Sequence, residues 1–172
     1  MTPRVVLVGP PGSGKTTVAR ELADLLGADV RDTDEDVERT HDSTIADLFV
    51  DHGEAHFRDA EAAAVSTALA EHAGILALGG GAVLHAGTRA ALDGHRVVFL
   101  DVGLSEAAKR VGLNTARPLL LGNVRSQLKT LMDERRPIYA EVAAHVVSTD
   151  ALTPREVADD IVRWLETGGS TA

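Results

Sequence analysis

The chain has 172 residues, 44% of them hydrophobic, and its 17 lysines and arginines against 26 aspartates and glutamates give a net charge of −9. That length suits one globular domain with a full core, and the acidic balance does not support a nucleic-acid partner, which normally asks for a basic face. The absence of cysteine excludes disulfides and thiolate metal sites and fits a reducing compartment, so a cytoplasmic protein is expected.

In chain order, the apolar run at Val5–Val8 predicts a buried strand. It is broken at Gly9, too soon for a signal-peptide core, and nowhere do about 18 apolar residues run together, so neither a targeting segment nor a membrane span is expected. Val18, Leu22, Leu25 and Leu26 recur at helical spacing and predict an amphipathic helix ending near Gly27. A second strand is predicted at Val30–Thr33, and Phe57, Ala64, Val65, Ala68 and Leu69 mark another helix face. Further buried strands are expected at Ile75–Leu78, Val97–Leu100 and His145–Thr149. Thr153, Pro154 and Glu156 form an N-cap, first helical position and capping box, followed by Val157, Ile161, Trp164 and Leu165 as a buried stripe. Strands alternating with helices predict a mostly parallel sheet covered on both faces. The whole chain, 1–172, is expected to be one domain, with a frayed tail at 167–172.

Between the first strand and the first helix lies "GPPGSGKTT", in which Gly9, Gly14, Lys15 and Thr16 match the phosphate-binding G-x-x-x-x-G-K-[ST] pattern. Gly12, Ser13, Gly14, Lys15, Thr16 and Thr17 are the expected nucleotide contacts: backbone amides and the positive helix end cradle phosphate oxygens, Lys15 reaches the β- and γ-phosphates, and the Thr16 hydroxyl binds Mg²⁺. The Asn-Lys-x-Asp string of guanine-reading switch proteins does not occur.

Asp32 and Asp34 stand at the carboxyl end of the second predicted strand, the edge that faces the ligand crevice in open α/β sheets. Two residues apart on an extended segment, their carboxylates point the same way. One can hold Mg²⁺ through water while the other orients an acceptor hydroxyl, and an acidic helix start followed by Glu35 and Asp36 is the alternative. Gly79, Gly80 and Gly81 follow the third strand. A turn needing positive φ explains one or two glycines, whereas three together favour close approach of a ligand to backbone. Arg58 has Glu54 and Glu61 as helical neighbours, and Arg135 and Arg136 have Asp133 and Glu134. "GLNTARPLLLG", near 112–122, reads as a mobile lid carrying Arg117.

With "DTD" at Asp32–Asp34, "FR" at Phe57–Arg58, "GGGA" at Gly79–Ala82, "RPLL" at Arg117–Leu120 and "RRPIY" at Arg135–Tyr139 added to the phosphate loop, the chain closely resembles the shikimate kinases over residues 4 to about 165. The resemblance implies an α/β, P-loop NTPase-like fold of the nucleoside-monophosphate-kinase kind, with a five-stranded parallel sheet and helices on both faces. It implies ATP-dependent transfer of the γ-phosphoryl to the 3-hydroxyl of shikimate, giving shikimate 3-phosphate and ADP in aromatic amino-acid biosynthesis. By the same resemblance Lys15, Asp34 and Arg117 are catalytic, Asp34 as base and hydroxyl contact and Arg117 as the lid arginine on the ATP phosphates. Asp32 lies in the Mg²⁺ shell with Thr16, Arg58 and Arg136 bind the shikimate carboxylate, Gly79, Gly80 and Gly81 contact the ring, and Arg110 stacks on adenine. The implied partners are shikimate and ATP; from charge and hydropathy no nucleic-acid or membrane partner is expected, and the protein is expected to be a monomer. The chain departs from the family at Leu152, where another adenine-side arginine is common. Asp101 ends the fourth predicted strand but is expected to cap the next segment rather than bind metal. The rival readings are a gluconate-type or nucleoside-monophosphate-type kinase, or a catalytically silent nucleotide-binding module.

Overall fold

The computed structural model describes residues 1–114 and 121–169. Short β-branched runs form β1 (Val5–Val8), β2 (Val30–Asp32), β3 (Ile75–Ala77), β4 (Val97–Asp101) and β5 (His145–Ser148). They pair in parallel in the order β2-β3-β1-β4-β5, the α/β, P-loop NTPase-like arrangement anticipated. Because β1 is flanked by β3 and β4, successive crossovers leave it in opposite directions, and the crevice at its carboxyl end is where such sheets place a ligand.

Seven helices cover the sheet among the described residues: α1 (Lys15–Leu26), α2 (Thr33–His41), α3 (Ile45–Glu71), α4 (Ala86–Leu92), α5 (Leu104–Asn114), α6 (Leu121–Val142) and α7 (Pro154–Glu166). Side chains alternate across a strand, so Val5 and Leu7 join Val18, Leu22, Ile161 and Trp164 of α1 and α7 on one face. Val6 and Val8 join Val65, Leu69 and Tyr139 of α3 and α6 on the other. Both layers exclude water, and all four residues of β1 are buried. The strands stop within one residue of the expected ends. Thr33 leaves β2 because Asp32 caps α2, its side chain accepting from the Asp34 amide at 2.8 Å.

The capping box of α7 is in place: Thr153 Oγ1 accepts from the Glu156 amide, and Glu156 Oε1 from the Thr153 amide. Past α7 the amides of Gly168 and Gly169 donate to the carbonyls of Leu165 and Trp164, each at 3.1 Å. The tail expected to fray is thus hydrogen-bonded as far as Gly169, and its last residues, 170–172, lie outside the described ones. Among the described residues no helix is long and apolar enough to cross a membrane.

Candidate active site

The loop after β1 turns on backbone that a side chain would obstruct. Gly12 has φ of 80°, and a Cβ there would stand 2.9 Å from the carbonyl oxygen of Ala107, so the close seating of this loop against α5 requires glycine. Arg110 of α5 donates to the Gly12 carbonyl at 3.0 Å. Ser13 is buried, Gly14 caps α1 with φ of 91°, and Thr16 and Thr17 are exposed on its first turn. Lys15 folds back on the loop, donating to the carbonyls of Gly9 at 2.6 Å and Pro10 at 3.1 Å. Burial lowers its pKa to about 8, against the opposing pull of Asp34 and Asp32 and with the help of Arg135. An ammonium so desolvated is poised to exchange carbonyls for phosphate oxygens.

The paired carboxylates converge, though not in the way an extended segment brings them together. Asp32 ends β2 and caps α2, while Asp34 lies in the first turn of that helix. Both the capping and the pairing are therefore present in the same residues. Asp34 is largely withdrawn from water, and burial first, then the charges of Asp32 and Glu61, raise its pKa to about 6 in spite of Lys15.

None of Gly79, Gly80 and Gly81 has a positive φ, which removes the turn-conformation explanation. For Gly79 and Gly81 the reason is close approach, of the protein's own side chains rather than of the ligand expected, while a Cβ on Gly80 would come no closer than 3.3 Å, to Pro11. A Cβ on Gly79 would lie 2.4 Å from Asp34 Oδ1 and 2.9 Å from Glu61 Oε2, and one on Gly81 would lie 2.3 Å from the Arg58 guanidinium. The turn thus gathers two carboxylates and a guanidinium against bare backbone. Arg58 donates to Glu61 at 2.7 Å and approaches Glu54 at 3.6 Å, so its helical partners are real, yet the Glu61 side chain is only 2% exposed. Burial raises the Glu61 pKa, with Arg58 opposing. An acid so buried is part of the site, and its i+3 spacing from Arg58 was the available sequence clue.

The two adjacent arginines of α6, of which Arg136 is the one expected at the acceptor, part company. Arg136 is half exposed and pairs with Asp101 at 2.6 Å. Arg135 is less exposed, and its charge bears on Lys15, Glu61 and Tyr139. Neighbours on a helix leave it about 100° apart, whereas Arg135 and the buried Tyr139, four apart, share a face. Among the described residues the Asp101 carboxylate accepts from Arg136 and from no amide of α5, and the amide of Gly103 ahead of that helix is held by Asp150, at 2.9 and 3.1 Å.

On the other side of the loop a cleft of about 200 Å³ is lined by Ser13, Thr17, Arg110, Thr149, Leu152 and Pro154, among others. Thr149 Oγ1 is buried there without a hydrogen-bond partner among the described residues, a polar group suited to a ligand with hydrogen-bonding edges, while Leu152 supplies an apolar wall. A larger opening of about 760 Å³ at the amino end of β4, lined by Arg89, His95, Arg96 and Glu141 among others, is remote from this chemistry. Arg117 and most of the expected lid lie outside the described residues.

The family model for shikimate kinase matches residues 11–166. The chain belongs to the shikimate kinase family. Within that family it is 54% identical over 167 residues to a shikimate kinase of Thermobifida fusca, covering 97% of each chain, and 57% identical over 165 residues to one of Salinispora tropica, covering 96% of this chain and 99% of the relative. A solved shikimate kinase of Acinetobacter baumannii, in complex with shikimate, superposes with a TM-score of 0.89 at 35% identity, covering 98% of this chain and 94% of that one. The shikimate kinase match spans the phosphate loop from Pro11 onward, both carboxylates, the glycine turn and α6, and leaves out only Gly9 and Pro10 of the site just described.

Proposed function

We propose that the protein transfers the γ-phosphoryl of ATP to the 3-hydroxyl of shikimate, giving shikimate 3-phosphate and ADP. The observation that carries this reading is the meeting of Asp34, Glu61 and Arg58 at the glycine turn beside Lys15: an anionic, polyhydroxylated acceptor needs hydroxyl acceptors and guanidinium donors within reach of a phosphate-binding loop. In this reading Arg58 and Arg135 hold the acceptor carboxylate, each charge-assisted bond contributing about 1.5–3 kcal/mol, and Arg136 serves to tie α6 to Asp101 at the end of β4. The backbone of Gly79, Gly80 and Gly81 lies along the ring. Asp34 Oδ1 accepts the hydroxyl proton and orients the oxygen, a modest task because a loose phosphoryl-transfer transition state asks little of a base.

Gly12, Ser13, Gly14 and Thr17 bind the phosphates with Lys15, which stabilises charge on the transferred group. Arg110 and Thr149 face the base in the cleft beside them. The exposed Thr16 hydroxyl of the loop and the Asp32 carboxylate at the end of β2, whose charge bears on Lys15, are hard oxygen donors that would hold a Mg²⁺ ion, which would supply charge neutralisation at the phosphates. The role expected of Arg117 is that of a lid arginine.

A coupled ADP-release assay with shikimate, gluconate and a nucleoside monophosphate as acceptors tests the reading. Turnover with shikimate alone is expected. Turnover with either of the others and none with shikimate, or nucleotide binding with no acceptor-dependent ADP release, overturns it.

A further inference from the structure

Tyr139 is the chain's one tyrosine and is 1% exposed. A phenol so buried must place its hydroxyl on a partner, and the partner is distant in sequence: the O–H donates to the carbonyl of Gly80, the middle residue of the glycine turn. The ring is held against Phe99 of β4, centroids 5.1 Å apart and planes 35° apart, so the hydroxyl has little freedom to aim elsewhere. Burial raises its pKa, and the phenol remains a donor through neutral pH.

What this bond joins gives it consequence. On one side, Gly80 stands between Gly79, pressed by Asp34 and Glu61, and Gly81, pressed by Arg58, so rotating the central peptide displaces the backbone against which all three side chains pack. On the other side, Tyr139 lies one helical turn beyond Arg135. Pro137, between them, lacks an N–H, so the carbonyl of Asp133 loses its partner in the helical ladder and α6 is weakened at the turn that carries the arginine. A tertiary anchor just past that break fixes what the ladder does not.

We propose that Tyr139 is a positioning residue for the acceptor: by holding the Gly80 carbonyl it fixes the glycine turn and sets Arg135 of α6 against it. The proposal rests on the acceptor site as read above.

Tyr139→Phe deletes the one hydroxyl and keeps the ring. The KM for shikimate is expected to rise roughly fivefold to tenfold, the loss of one buried hydrogen bond, with kcat within about twofold and the KM for ATP unchanged. Ile161→Val, a core change on the opposite face of the sheet, supplies a destabilised control and is expected to leave both KM values alone. Hydrogen exchange of the peptide spanning 79–84 is expected to quicken about tenfold in Tyr139→Phe without any ligand. A shikimate KM unchanged in Tyr139→Phe, or raised equally by Ile161→Val, overturns the proposal. Should the unmutated protein fail to use shikimate, the reading of the acceptor falls, and the exchange rate alone decides: quickened exchange supports the anchoring of the turn by Tyr139, and unchanged exchange overturns it.

Discussion

Burial drives Lys15 and Asp34 toward one another on the pH scale, to about 8 and about 6, and leaves a narrow window in which the first is charged and the second ionised. The activity kcat/KM is therefore expected to be bell-shaped, falling below about pH 6 and above about pH 8, and the upper limb should move higher once phosphate oxygens surround Lys15 at saturating ATP. Asp34 also makes a prediction about stability. Its folded pKa, about 6, lies above the ordinary 3.8, so the folded state binds the proton more tightly, and stability is lost as pH rises from about 4 through 6. Asp34→Asn should accordingly raise stability at pH 7.5 by about 1–3 kcal/mol while lowering kcat by about 10²–10⁴. Denaturant melts of both proteins at pH 5 and 7.5 check the sign, since the gain should shrink at the lower pH. For the two arginines, Arg135→Ala should raise the shikimate KM by about tenfold or more, and Arg136→Ala by less than about threefold; the reverse order would return the carboxylate to Arg136.

At the scale of the element, the site is assembled from ends rather than middles. The carboxyl ends of β1, β2 and β3 deliver the phosphate loop, the two aspartates and the glycine turn to one edge, and helix starts provide what the strands cannot. Much of this was legible. The loop motif lay between a strand pattern and a helix pattern, and "TPRE" announced the start of α7 to the residue. The convergence of Asp32 and Asp34 was foreseen through the wrong geometry, because local sequence does not say whether an acidic "DTDED" continues a strand or caps a helix. Thr153→Ala, which removes a cap far from the chemistry, should cost about 1 kcal/mol and lower Tm by about 2–4 °C with kcat and both KM values unchanged. Gly79→Ala should act in the opposite way. Its Cβ would overlap Asp34, and kcat should fall at least about tenfold by displacement of the carboxylate.

For the molecule as a whole, covering both faces of the sheet leaves ligand access at its edges and ends, and the nucleotide loop couples to the core through α1. Nucleotide should then stabilise the entire fold, by about 2.7 kcal/mol at a hundredfold excess over Kd. A thermal shift with ADP and Mg²⁺ should reveal it, adding a chelator should diminish it, and Lys15→Ala should nearly abolish it.

Periodicity, capping signals and the glycine-lysine loop determine the class of fold, the strand positions and the phosphate end of the site from sequence alone, because each is a local pattern in which backbone conformation and side-chain chemistry act over a few residues. Only the tertiary structure decided which of two adjacent arginines pairs with Asp101 and why Gly79 and Gly81 bear no side chain. It also decided where the hydroxyl of Tyr139 ends. Those depend on how α2, α3 and α6 meet the sheet edge, and long-range packing of that kind leaves its trace in coordinates rather than in spacing.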